Sequence, residues 1–175
     1  MFRLETDRLI IRPWEATDRA VFLRIMRDPE VTRYIGRGKP FSEEDTDEFF
    51  ARQSRQLESH SVCMGAAVER ESGRVVGIAG VQPLGTTLDL EIGWIFHRDV
   101  WGRGFATEAG EAARDHVLRT LKLPRVVAII DPDNEPSKRV AARLGMQYED
   151  HYTGAQLGHR NPDISVDLYY RNRDS

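Results

Sequence analysis

The sequence predicts an α+β fold of three layers (α/β), with a mixed, mostly antiparallel central sheet of about seven strands and helices on both faces. Three observations predict it. The apolar period changes from helical to alternating at Ser61 and stays alternating through Phe96, as consecutive antiparallel strands require. A strand-like run, a glycine turn, an alanine-lined helix and the apolar run 126–130 then form one strand–helix–strand unit. No repeat, low-complexity tract or linker divides the chain, so residues 1–175 are read as one domain.

In chain order, residues 9–14 are rich in β-branched and aromatic side chains and run into Pro13, as a first strand does. Thr17 is positioned to cap a helix whose Val21, Phe22, Ile25 and Met26 share one face and which Asp28-Pro29 stops. Residues 32–40 form an irregular loop with its own Gly-x-Gly, interrupted by Pro40. Ser42 and Asp45 have capping-box spacing for a second helix, with Phe49, Phe50 and Leu57 on one side and acidic residues in the first turn. Val62, Met64, Ala66 and Val68 alternate, Glu71-Ser72-Gly73-Arg74 turns the chain, and residues 75–81 complete a hairpin. After Pro83 and Gly85, Leu88, Leu90, Ile92, Trp94 and Phe96 alternate along a longer strand.

Beyond the glycine turn, Phe105, Ala109, Ala113, Val117 and Leu121 recur every four residues, and the alanines let this helix lie close to a sheet. Pro124 ends it, and the run 126–130 is continuously apolar, as in a strand buried on both faces. Asn134 caps a further helix with Pro136 in its first turn and Gly145 at its end. Two terminal strands, 147–153 and 164–171, are joined by the polar loop 154–163, with Tyr148 and Tyr152 on one strand face.

The glycine turn itself, Trp101-Gly102-Arg103-Gly104-Phe105, is an anion-binding candidate. Glycine at both positions admits positive φ and keeps side chains away, so backbone N–H groups converge beside the positive end of the following helix. No Lys-Ser or Lys-Thr follows, which excludes a P-loop, and Thr107 stands where a dinucleotide fingerprint needs its third glycine. On the glycines alone, a plain turn opening a helix is the favoured reading; the residues around them point the other way.

Composition narrows the class further. With a net charge of −3 the chain has no global basic field, so no specific nucleic-acid partner is expected. No apolar run reaches the length of a membrane span or a secretory core, and Cys63 has no partner for a disulfide; a cytoplasmic protein without a membrane partner is expected. Cys63 sits in an apolar strand-like segment and reads as a buried structural residue.

Four groups of residues together resemble the GNAT N-acetyltransferases. They are Thr6-Asp7-Arg8-Leu9 with Arg12; Glu91-Ile92-Gly93-Trp94; the run from Trp101 through Gly102, Arg103, Gly104, Phe105, Ala106, Thr107 and Glu108 to Ala109; and Asn134 with Ser137, followed by Leu144-Gly145-Met146. The chain looks most like the RimJ/RimL branch, the ribosomal-protein-alanine acetyltransferases, and the likeness extends over nearly its whole length. The resemblance implies acetyl-CoA as co-substrate, with no metal. It implies that the backbone of Trp94, Ile95 and Phe96 pairs with the pantetheine amides as an added strand would, and that N–H groups from Trp101 to Thr107 hold the pyrophosphate. It also implies that the strands carrying Glu91 and ending at Asp131 splay apart, with Asn134 and Ser137 close to the pantetheine and sulfur. Two departures stand out. Trp101 replaces the usual Arg or Gln, with Arg103 as an alternative source of charge, and Ala141 occupies the position where many relatives carry a Tyr general acid.

The chemistry requires a base for the alkylammonium and a donor for the leaving thiolate. Glu91 is the candidate base, through water, and Ser137 the candidate donor; a solvent-facing strand carboxylate and a simple helix-capping serine are the alternatives. Asp89 and His97 are weaker candidates for the base. No Ser-His-Asp order or metal-ligand spacing appears in the sequence, so direct transfer in a ternary complex is expected. The loop with Tyr34 and Arg37 is expected to border the acceptor cleft, the acceptor being a protein N-terminus or a small-molecule amine. Exposed strand edges are compatible with a monomer or a homodimer. The missing Tyr at position 141 motivates a second reading, a non-catalytic acyl-CoA-binding sensor or scaffold.

Overall fold

The computed structural model describes residues 2–174. Eight strands, β1 (Leu4–Glu5), β2 (Leu9–Arg12), β3 (Met64–Glu69), β4 (Val75–Pro83), β5 (Leu90–Phe96), β6 (Arg125–Ile130), β7 (Gln147–Thr153) and β8 (Ser165–Asn172), form one open sheet in the order β1-β2-β3-β4-β5-β6-β8-β7. Five helices accompany them: α1 (Arg19–Met26), α2 (Pro29–Thr32), α3 (Glu43–His60), α4 (Phe105–Asp115) and α5 (Glu135–Arg143). Helices cover both faces. Against one, Phe105, Ala109, Ala113 and Val117 pack on Leu9, Ile92 and Phe96; against the other, Phe22, Ile25, Met26 and Phe49 pack on Met64 and Ile78.

Every neighbouring pair of strands is antiparallel except β5 and β6, which run parallel and meet at Glu91 and Val127 alone. That register point lies near the start of both strands, so they separate toward their C-terminal ends. The closed end is held by Arg125, whose guanidinium grips both oxygens of Asp89 (2.8 and 2.5 Å) and reaches Glu149 at 2.9 Å. A planar fork meeting a carboxylate in this way fixes orientation as well as distance.

The structure changes several local expectations. The first strand is a hairpin: β1 precedes it, and Thr6 Oγ1 accepts the Leu9 N–H at 2.8 Å across the turn. Asp18, not Thr17, organises the start of α1, accepting the Glu15 N–H and two bonds from Arg12. Ser42 and Asp45 do form the reciprocal box that opens α3. Leu88 is fully exposed and lies before β5. After α4 the helix widens into a π turn, His116–Thr120, which breaks the four-residue period and leaves Leu121 exposed. A register shift between Tyr148 and Asp150 separates the two tyrosines: Tyr148 packs edge-on to Tyr169, Tyr152 against the Val166 and Leu168 side.

Candidate active site

The separation of β5 and β6 opens a cavity of about 390 Å³. Its walls include Glu91, Trp94 and Ile95 from β5, Ile129 and Ile130 from β6, Asn134 and Ser137 at the start of α5, and Tyr34. The His97 N–H bond to the Val76 carbonyl sets the phase of the β4–β5 ladder. By the alternation of antiparallel pairs, Glu91, Gly93 and Ile95 exchange backbone bonds with β4, whereas the N–H and C=O of Trp94 and Phe96 point toward the gap. Trp101 Nε1 donates to the Phe96 carbonyl at 2.8 Å, so Trp94 is the residue with both backbone groups toward the gap and unclaimed by neighbouring strands.

At the start of α5, Asn134 Oδ1 accepts the Ser137 N–H at 3.2 Å, the capping role its sequence position suggests. The Ser137 hydroxyl oxygen in turn accepts Trp94 Nε1 at 3.3 Å, which leaves its own proton free to be donated.

The glycine turn lies between β5 and α4. Gly102 and Gly104 have φ of 76° and 81°, and a Cβ on Gly102 would meet nothing within 4 Å; on Gly104 it would meet only Arg8 Nη2, at 3.5 Å. Trp101 and Arg103 spend their N–H groups within the turn, on the Arg98 and Val100 carbonyls. Gly102, Gly104 and the first-turn residues Phe105, Ala106 and Thr107 are therefore its remaining donors. The side chain of Arg103 bonds Glu69 at 2.6 Å. Arg8 buttresses the turn from β2, bonding the Arg103 carbonyl at 2.8 Å and the Glu108 carboxylate, which Thr6 also holds. This is the physical use of the Thr6-Asp7-Arg8 segment. The open glycine side, the first-turn donors and the unpaired edge of β5 match what a diphosphate followed by a diamide chain needs.

Glu91 is buried and accepts one bond, from Gln82 Nε2 at 3.1 Å. Burial pushes its carboxyl up to about 7, although Gln82 and the charges of Arg160 and Arg52 pull the other way. Sequence reading missed these neighbours. Arg52 is one of several charged residues on α3, and Arg160 and His159 belong to a loop whose folding back onto the cavity depends on tertiary contacts, among them buried Leu157. Arg37 lies outside the cavity, exposed and near Asp163. Asp89 is committed to Arg125, and His97 Nδ1 accepts the Asp99 N–H in its own turn. Burial raises the Cys63 thiol to about 12, consistent with a packing role.

A splayed parallel pair beside a glycine-started helix, within an otherwise antiparallel sheet, is the arrangement of the acyl-CoA N-acyltransferase fold. The chain belongs to the GNAT acetyltransferase family: the family model described as acetyltransferase (GNAT) domain matches residues 8–147. Among its relatives, an uncharacterized N-acetyltransferase, p20, of Bacillus licheniformis is 33% identical over 155 residues, covering 85% of this chain and 84% of that protein. The uncharacterized protein YkkB of Bacillus subtilis is 32% identical over 149 residues, covering 83% and 86%. A GNAT-family acetyltransferase from Bacillus anthracis superposes with a TM-score of 0.81 at 26% identity, over 99% of this chain and all of that one. RimL, a ribosomal L7/L12 alpha-N-protein acetyltransferase solved with coenzyme A, shares the fold at 15% identity with a TM-score of 0.79, over 98% of both chains.

Proposed function

We propose that this acetyltransferase moves the acetyl group of acetyl-CoA directly to a primary amine, with Glu91 as base and Ser137 as acid. The observation that carries the reading is their convergence on one cavity at the β5–β6 splay, with Glu91 poised near neutrality. Acetyl-CoA supplies an activated thioester carbonyl. Gly102, Gly104 and the first turn of α4 hold its diphosphate, and the Trp94 backbone pairs with the pantetheine amides. Glu91 accepts the proton of the alkylammonium, directly or through a water, and frees the nitrogen lone pair to attack the acetyl carbon. As the carbon–sulfur bond breaks, Ser137 gives its hydroxyl proton to the sulfur and regains one, through water, from the acylated nitrogen, which sheds its extra proton as the amide forms; Glu91 then returns its own proton to solvent.

Because both groups work on one ternary complex, no acyl-enzyme is needed, and the absence of Tyr at position 141 leaves Ser137 as the donor. The acceptor is a protein N-terminus or a small-molecule amine, and the likeness to RimL supports keeping the former in view. Thiol release from acetyl-CoA with a panel of primary amines, paired with mass detection of the acetylated product, tests the reading. One thiol per acetylated amine is expected. Acetyl-CoA binding without thiol release for any amine would instead indicate a sensor or scaffold.

A further inference from the structure

The acceptor side of the cavity contains a cation without a sufficient partner. Arg52 lies on α3 with its guanidinium carbon 5.2 Å from the Phe49 ring centroid, and its Nη1 is buried with no hydrogen-bond partner. Among the described residues neither Glu48 nor Glu91 comes within salt-bridge distance of it. Arg160 lines the same cavity, and the two positive charges disfavour one another; burial, with that repulsion, lowers Arg52 to about 10, so it remains charged at neutral pH. Met26, Phe41 and Phe49 provide an apolar wall beside this pair.

A buried guanidinium donor left unpaired is unfavourable, and a carboxylate offers two acceptors in the geometry that the guanidinium fork presents. A protein N-terminus brings a neutral peptide group to the position next to its amine, which does not answer two cations. Resting on the acetyl-transfer reading of the site, we infer that the acceptor is a free amino acid with an apolar side chain: its amine at Glu91, its carboxylate held by Arg52 with Arg160, and its side chain against Met26, Phe41 and Phe49.

The test is calorimetric titration of the full chain loaded with coenzyme A, in which no transfer occurs. L-Leucine, L-methionine and L-phenylalanine are each compared with their own amide and their decarboxylated amine. At least one free amino acid is expected to bind about 10-fold or more tightly than its amide and amine, the loss of a charge-assisted bond. In Arg52→Met the ratio of amino acid to amine affinity should fall toward one; Arg160→Gln, at an exposed loop position that does not threaten folding, should lower it as well. Equal affinity across each trio, or an unchanged ratio in both variants, overturns the inference. Turnover separates this inference from the reading beneath it. Amides acetylated as readily as acids leave acetyl transfer intact and remove the carboxylate site. Amino acids that bind selectively yet release no thiol from acetyl-CoA contradict the transfer reading and leave the anion site standing.

Discussion

Glu91 is the residue on which stability and chemistry meet. Burial raises its carboxyl from 4.5 to about 7, so the folded protein holds a proton there that the unfolded chain has already lost. Between those values the native state binds more protons, and stability falls as pH rises from about 4.5 through 7. Above pH 7 the full penalty applies, on the order of 3 kcal/mol. In Glu91→Gln this penalty vanishes, so thermal melts at pH 8 should place the variant above the parent, with the difference shrinking toward pH 5. Equal melting temperatures at both pH values would contradict the burial argument. Ser137→Ala removes the candidate proton donor and should lower kcat by roughly 10- to 100-fold with little change in KM for acetyl-CoA; a larger change in KM than in kcat would make Ser137 a binding residue only. At this scale Asn134 was legible as a helix cap from its position, whereas Glu91 and Ser137 were tied to the cleft only through the GNAT resemblance, since alternation along β5 leaves open which side Glu91 faces. Arg52 and Arg160 were not, since a helix surface arginine and a loop arginine acquire a shared cavity only through tertiary folding.

Among the elements, the turn from Trp101 into α4 carries the most weight. Gly104→Val forces a β-branched side chain into φ of 81° and fills the open side of the turn, so the Kd for acetyl-CoA should rise by about 10-fold or more. Binding measured by titration and left unaltered would remove Gly104 from the cofactor site. The clamp from Arg125 to Asp89 closes the other end of the splay. Asp89→Asn should lower stability by about 1–2 kcal/mol, a figure reduced by the partial exposure of Arg125, and chemical denaturation reads it directly. An unchanged midpoint would leave the single β5–β6 register point to hold the strands by itself. Most elements were legible from apolar period and caps; Ser42 and Asn134 open their helices as their spacing implies. Errors fell where the backbone leaves a regular period: the π turn beyond α4 and the bulge in β7 each break a periodicity that sequence counting extends unchanged.

At the scale of the whole molecule, one parallel pair in an antiparallel sheet produces the site. β5 and β6 belong to a strand–helix–strand unit, and their single register point leaves the sheet open where α4 and α5 both begin. Helix starts, an unpaired strand edge and a buried carboxylate therefore meet by topology, although their residues are spread from position 91 to 137. The open sheet and its helical layers were readable from alternation and from the GNAT resemblance; the shape of the acceptor end was not, because it draws on Met26 of α1, the 34–41 segment, α3 and the 154–163 loop at once. The most direct test of the account is the pH dependence of kcat/KM for amine acetylation in the parent protein and in Glu91→Gln. In the parent kcat/KM should rise with an apparent pKa near 7, and in the variant this rise should be lost, together with a drop of about 100-fold or more at pH 8. A variant with the same profile and rate would show that the proton leaves the amine by another route.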